Sequence, residues 1–300
     1  MRVAVTGAHG FIGRHLVARL GARGDDASAI ARPFSAPALI DAFRGADAVV
    51  HLAGVVAATR DEDYVAGNVV SARIVAEAAR DAGVHLVHVS SLAAAGPASA
   101  DAPHGEHDAP APITTYGRTK LEGERAVTAT PGLRWTVLRP GVVYGPGDRA
   151  LVPLFRMARA GVLPLVGRAD AAYTFVYIGD LIDAIVAAVD RTPAGVTCFV
   201  GHRRAVTPRA LVTAVRDASG RRAAIVPIPT ALLRVAAWGG DLFGALTGRA
   251  AMINSRRFVE LESPGFVCRV DRLREDLGVE AKVGLADGLH AAADWYLSQV

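Results

Sequence analysis

Three hundred residues, 51% of them hydrophobic and 21% charged, suit one large or two closely joined domains with a sizeable core. The net charge of +4 comes from scattered arginines, with no basic cluster interleaved with aromatics, so no nucleic-acid partner is expected. Cys198 and Cys268 are too few for a disulfide scaffold and sit in no metal-ligand spacing, no run of 18 uncharged apolar residues predicts a membrane span, and the chain enters its first strand without a leader, so a cytoplasmic protein without a metal is expected.

In chain order, residues 2–6 (RVAVT) read as a short buried strand and 11–22 (FIGRHLVARLGA) as a helix, with Gly7, Gly10 and Gly13 at their junction. A strand at 27–31, a helix at 36–44 and a strand at 47–51 follow, then a helix at 64–82 and a strand at 85–89 (HLVHV). The Pro-, Ala- and Gly-rich segment 92–113 reads as a loop, in which His104 and His107 are solvated rather than substrate-touching. Beyond it come a helix at 114–130, a strand at 134–139, helices at 151–160 and 180–190, a strand at 196–200, and helices at 207–219, 229–247 and 284–298. The amphipathic stretch 229–247 reads as a substrate-domain helix in preference to a membrane-surface one. Alternating strands and helices to about residue 140 predict an α/β protein with a Rossmann-type doubly wound parallel sheet. The expected division is a dinucleotide-binding domain of 1–145 plus 174–200, and a smaller substrate-capping domain of 146–173 plus 201–300.

The sharpest chemical signal is Tyr116-Gly-Arg-Thr-Lys120, in a chain whose lysines are Lys120 and Lys282. On a helix, positions i and i+4 share a face, which sets the Lys120 ammonium beside the Tyr116 phenol. A phenol titrates near 10, and a neighbouring cation favours phenolate, so the pair is suited to moving a proton at an oxygen near neutral pH. The bland alternative is an exposed helical Tyr and Lys without chemistry. At the other end of the sequence, Gly7 and Gly10 permit a tight turn and close approach to a pyrophosphate at a helix N-terminus, and Gly13 lets the helix lie close on the sheet.

Thr6-Gly7-x-x-Gly10-x-x-Gly13 together with Tyr116-x-x-x-Lys120 resembles the extended short-chain dehydrogenase/reductases, the NAD-dependent epimerase/dehydratase family. His51-Leu-Ala-Gly54, Val89-Ser90-Ser91, Leu138-Arg-Pro140-Gly-Val-Val-Tyr144-Gly-Pro-Gly147 and Phe175-Val-Tyr-Ile-Gly-Asp180-Leu extend the likeness along nearly the whole chain. The resemblance implies Ser91, Tyr116 and Lys120 as catalytic residues. It implies that NAD or NADP is held by Gly7, Gly10, Phe11, Ile12, Gly13, Arg32, Leu52, Ala53, Gly54, Asn68, Tyr116, Lys120, Pro140 and Val143. Asn68 would support Lys120 through water, or else be an ordinary exposed helical residue. A homodimer through helices 64–82 and 114–130 is implied, with Ala72, Ala76, Ala79 and Ala126 either packing there or facing the sheet.

Three departures shape the functional expectation. Only residues 27–46 separate the first helix from the His51 strand, so one β-α unit of the family pattern is missing and the sheet is expected one strand short on the adenine side. Where NAD-binding members place an Asp on the ribose, this chain has Ala31 and then Arg32, which favours NADP. Where sugar-nucleotide enzymes carry ligands for the diphosphate or the sugar, the chain has Val142, Tyr173, Leu92-Ala93 and Ala95, although Arg149, Arg156 or Arg168 from the cap would be able to substitute. An oxidoreductase interconverting an alcohol and a carbonyl on an apolar small molecule, like the hydroxysteroid-dehydrogenase and flavonol-reductase branches, is therefore expected. The alternatives are a nucleotide-sugar epimerase or dehydratase with a relocated diphosphate site, and a non-catalytic NAD(P)-binding sensor.

Overall fold

A computed structural model describes residues 1–229, 231–235, 239, 240 and 255–300. Strand β1 (Arg2–Thr6) feeds helix α1 (Phe11–Ala22), followed by β2 (Asp26–Ile30), α2 (Ala36–Phe43) and β3 (Ala48–His51). A long helical run comes next: α3 (Asp61–Tyr64), a π-helical stretch Val65–Val70, and α4 (Ser71–Asp81). It leads to β4 (His85–Val89), α5 (Thr115–Thr128) and β5 (Trp135–Pro140). Past β5 the chain makes β6 (Val142–Tyr144), α6 (Val152–Arg159), β7 (Val162–Leu165), β8 (Ala172–Tyr173), β9 (Phe175–Tyr177) and α7 (Ile178–Arg191). It then makes β10 (Val196–Val200), α8 (Pro208–Ala218) and β11 (Ala224–Pro227).

Strands β10-β5-β4-β3-β1-β2 form one parallel sheet of six strands. These are the six strands expected from the sequence, each within a residue of its expected bounds, and the sheet ends at β2 as the short span 27–46 requires. The inner strands are buried on both faces and read as short apolar runs, whereas the edge strand β2 is largely exposed. One face (Val3, Val5, Val50, Val87) packs on Leu16 and Leu20 of α1 and on Leu181, Ile185 and Val189 of α7. Leu273 and Leu277, from the helix Asp271–Leu277, join the same core. The opposite face (Ala4, Val49, Leu86) packs on Leu39 and Phe43 of α2 and on Val75, Ala76 and Ala79 of α4. Ala72, Ala76 and Ala79 are thus spent inside the subunit and supply no dimer surface.

A third core, set apart from the sheet, joins Phe155 of α6, Leu163 of β7, Val212 and Val215 of α8, and Leu289 and Tyr296 from the C-terminal end. Phe155 and Tyr296 stack with ring centroids 4.5 Å apart. The expected helix 284–298 is divided into Leu285–Ala291 and Ala293–Ser298, and the Tyr296 hydroxyl turns inward to donate to Asp148. The expected helix 229–247 falls largely outside the described residues; 231–235 within it are helical. Among the described residues no helix is long and apolar enough to cross a membrane, and no cluster of His, Cys, Asp and Glu is arranged to hold a metal. Both cysteines are free and buried.

Candidate active site

The glycine turn is closed against the neighbouring strand end. Gly7 has φ +73°, and a Cβ there would lie 2.8 Å from the Ala53 nitrogen and 2.9 Å from the Leu52 carbonyl carbon. At Gly13 a Cβ would stand 2.2 Å from the Gly7 oxygen, so neither position admits a side chain without backbone movement. Thr6 ties the same two segments together: its Oγ1 lies 2.6 Å from His51 Nδ1 and accepts from the Ala53 N–H at 3.3 Å. Helix α1 starts at Gly10 with no side-chain cap, which leaves its first N–H groups for an external anion. This cradle fits the pyrophosphate of a dinucleotide.

The sheet's carboxyl end places the expected catalytic side chains together. Ser91 follows β4 and caps a single 3-10 turn, Leu92–Ala94. Tyr116 lies in the first turn of α5, whose N-cap Thr114 accepts from the Gly117 N–H at 3.1 Å. The Ser91 hydroxyl is close enough to the Tyr116 phenol to pull its pKa down, against the effect of burial. Lys120, one turn further, is buried, and its Nζ donates to the Val89 carbonyl at 2.9 Å. Burial lowers its pKa to about 8, although Glu124 pulls the other way.

One expectation is reversed here. Lys120 was expected to draw the Tyr116 pKa down, whereas the pKa is raised: desolvation outweighs the Ser91 hydrogen bond, and Glu260 and Tyr64 push it further up. The Lys120 ammonium is directed to the Val89 carbonyl, and the phenol stays protonated at neutral pH.

Asn68 is buried in the π-helical stretch, not exposed. Its Oδ1 accepts from the Val55 N–H at 2.8 Å, and its Nδ2 donates to the Val55 carbonyl and to Thr119 Oγ1, both at 3.0 Å. Asn68 therefore clamps the loop after Gly54 to α5. A Cβ on Gly54 would sit 3.1 Å from Asn68 Oδ1 and 4.0 Å from Lys120 Nζ, so these three residues share one small space. Arg32 is exposed just beyond β2, with its guanidinium 5.7 Å from the Phe34 ring centre and 3.3 Å from the Gly67 oxygen. Pro140 ends β5, and Val143 lies on β6, which pairs with β9 in the register Val143↔Val176.

Leu92 and Ala95 do not face a substrate. The 3-10 turn sends them into a small core with Phe199 and Cys268. His104 is tied by backbone hydrogen bonds to Val267 and Arg269, while His107 lines a separate polar cleft with Arg269 and Asp276.

Sequence spacing missed the parts that hold α5 in place. Gly117 and Gly123 would, with a Cβ, meet the Ala93 oxygen and the Asn68 oxygen, each at 2.4 Å. Glu124 makes a buried bidentate pair with Arg139 of β5, with Arg Nη2 2.6 Å from Oε2 and Nε 3.0 Å from Oε1. The recurrence of Gly117, Lys120, Gly123, Glu124 and Val127 along one face of α5 was the available signal.

An alignment of this chain with protein families matches residues 3–201 to the NAD dependent epimerase/dehydratase family. The chain belongs to that family and is an extended short-chain dehydrogenase/reductase. Ceramide reductase from Caulobacter vibrioides is 29% identical over 98% of this chain and 94% of its own length. The 4-hydroxy-2-methyl-3-oxo-4-farnesyl-3,4-dihydroquinoline-1-oxide ketoreductase of Stigmatella aurantiaca is 28% identical over 97% of this chain and 95% of its own. Among solved structures, MoeE5 in complex with UDP-glucose and NAD superposes with a TM-score of 0.78 at 25% identity, covering 100% of this chain and 99% of its own.

Proposed function

We propose that the protein is an NAD(P)-dependent oxidoreductase that interconverts an alcohol and a carbonyl on an apolar small molecule. The observation that carries this reading is the neighbouring Ser91 and Tyr116 with buried Lys120 one helical turn on, at the sheet end where the Gly7–Gly13 cradle opens. Bound NAD(P)H would supply the hydride for the carbonyl carbon. Gly7, Gly10, Gly13 and the open start of α1 would hold its pyrophosphate, with Phe11, Ile12 and the Leu52–Gly54 segment alongside. Pro140 and Val143 would back its nicotinamide. Arg32, in place of an acidic residue after β2, favours the 2′-phosphate of NADP.

Ser91 donates a hydrogen bond to the substrate oxygen and polarises it. Tyr116 gives its proton to the forming alkoxide. Its raised pKa keeps that proton in place at neutral pH, which is the state reduction requires. Lys120 contributes positive charge beneath the site and would hold the nicotinamide ribose. The hydrocarbon-bearing substrates in the names of the two reductase relatives support an apolar substrate.

A second reading, a nucleotide-sugar epimerase, is favoured by the likeness to MoeE5 with UDP-glucose. It shares Ser91, Tyr116 and Lys120 but shows no net cofactor change. Nicotinamide absorbance with NADPH and NADH against apolar ketones and sugar nucleotides separates the two. Tyr116→Phe is expected to bind cofactor yet lose about 10²- to 10⁴-fold in turnover. Wild-type turnover by that variant removes the assignment, and sugar-nucleotide interconversion without net oxidation replaces it with the second reading.

A further inference from the structure

A polar row crosses the sheet beside Lys120, and the proton transfer proposed for Tyr116 does not use it. Thr6, His51 and His88 stand side by side in the register Thr6↔His51 and His51↔His88 of β1, β3 and β4. Two positions earlier on these strands, Ala4, Val49 and Leu86 pack against α2 and α4. Side chains alternate along a strand, so the row faces the same side, where α5 packs on α4 and brings in Lys120. Thr6, His51, His88 and Ser90 are all buried, and the two imidazoles stack on each other. Lys120 Nζ donates to the carbonyl of Val89, the residue between His88 and Ser90, and its charge reaches both rings.

Among the described residues, His51 Nε2, both ring nitrogens of His88 and Ser90 Oγ have no hydrogen-bond partner. Thr6 Oγ1 lies 2.6 Å from His51 Nδ1 and accepts from the Ala53 N–H. Donating its own proton to Nδ1 completes the bonds of Thr6 and sets the His51 proton on Nε2. Unpaired polar atoms gathered in one buried patch are costly unless water joins them, and such groups are what buried water binds. The row runs out at the sheet edge. Thr6 pairs in register with Ile30 of β2, and Phe34 stands edge-on to the His51 ring at 6.3 Å, with exposed Arg32 over it.

Each reduction leaves Tyr116 as a phenolate in a buried site, so a proton must return before the next turnover. We propose that Thr6, His51, His88 and Ser90 hold a short file of buried water that returns this proton, by way of Lys120, from the sheet edge at β2. This rests on the oxidoreductase reading and adds the proton supply to it. The Lys120 ammonium, one helical turn from Tyr116, gives its proton to the phenolate and becomes an amine. The amine takes a proton from His88 across the file, His88 is refilled from His51, and His51 from solvent acid at the edge. One solvent proton enters for each alkoxide protonated. Each imidazole gains a proton on one nitrogen as it loses one from the other, so no imidazolium accumulates. Burial and the Lys120 charge keep both rings neutral, Arg32 adds to this at His51, and Glu124 is the carboxylate acting on Lys120.

The test compares first and later turnovers, with NADPH and a panel of apolar ketones and aldehydes. His88→Phe is expected to keep the single-turnover rate of NADPH oxidation within about twofold of wild type, because Tyr116 starts with its proton in place. Its steady-state kcat should fall about tenfold or more after a burst, with a larger solvent deuterium isotope effect than wild type. His51→Asn, which keeps a partner for Thr6, should give the same pattern and serves if His88→Phe does not fold. A merely structural role slows first and later turnovers together; that result, or an unchanged kcat, overturns the return path and leaves the oxidoreductase reading standing. Independently of turnover, magnetisation transfer from water to the imidazoles of histidine-labelled protein should reveal long-lived water at both rings. Its absence overturns the file. Water at both rings in a wild type that reduces no carbonyl of the panel keeps the file and overturns the oxidoreductase reading together with the proton supply.

Discussion

The sheet end and the cap groove are built from opposite materials. At the sheet end, polar side chains are buried and individually held: Lys120 on Val89, Asn68 on Val55 and Thr119, Glu124 on Arg139. In the cap groove between α6 and α8, the described lining is aliphatic and aromatic apart from Thr207 and Glu260. Moving a proton fixes residue type and spacing within tenths of an ångström, whereas taking up a hydrocarbon demands only apolar volume. The first region is thus fixed by individual polar partners, and the second by apolar packing.

The comparison breaks most visibly if the polar region tolerates damage. Glu124→Ala leaves the Arg139 guanidinium buried without its carboxylate and is expected to cost about 3–5 kcal/mol in chemical unfolding. It should also release α5, and with it the Tyr116–Ser91 alignment. A loss below about 1 kcal/mol would show that the pair does not hold the helix.

A smaller effect is expected at the cradle. Gly13→Ala forces backbone movement at the Gly7 oxygen, costing about 1–3 kcal/mol, with NADPH affinity reduced at least tenfold by titration. Unchanged affinity would mean the cradle is not the cofactor's.

The smallest effect concerns His88, which stacks on His51 with ring centres 5.3 Å apart. Both rings are buried and their pKa values are lowered, that of His51 to about 3, chiefly by desolvation and then by the Lys120 charge. Arg32 acts further on His51, and His51 on His88. With folded values below the unfolded 6.5, the unfolded chain binds more protons as pH falls, so this contribution is complete above about pH 6.5 and is lost toward acid. His88→Phe is expected to stay within about 1 kcal/mol at pH 7, since neither ring nitrogen has a protein hydrogen-bond partner. At pH 5 it should retain up to about 2 kcal/mol that the wild type loses, the linkage for one imidazole held neutral. Parallel pH–stability curves would show that His88 is not held neutral.

The legible parts of the molecule are those set by short-range rules. Gly7 to Gly13 sit where a strand must turn into a helix, and Tyr116 and Lys120 sit one turn apart, so spacing alone located them. The sheet was readable because its inner strands are buried on both faces and run as short apolar segments. The direction of the Tyr116 pKa was not readable, because desolvation depends on what packs around the ring and not on which residue is four positions away. Leu92 and Ala95 were misplaced because a single 3-10 turn after Ser91 rotates them into the core. Asn68 acts through a π-helical stretch whose widened turn no periodicity rule anticipates. The groove was least visible of all: residues near 154, 173, 211 and 260 are far apart in sequence and meet through the packing of α6 on α8 and through short strand pairs such as β11 with β7 and β6 with β9.

The narrow edge of the sheet at β2 has a kinetic consequence. An epimerase re-reduces its own substrate and gains by never letting its dinucleotide go, while an enzyme that consumes reductant must exchange it at every turnover. In an enzyme of the second kind, a sheet that ends at β2 would give the adenine less enclosure and shorten the dwell time of spent cofactor. The open edge beside β2 would then serve as an exit, and a cofactor dissociation rate at least as fast as turnover is the expected outcome of a stopped-flow measurement.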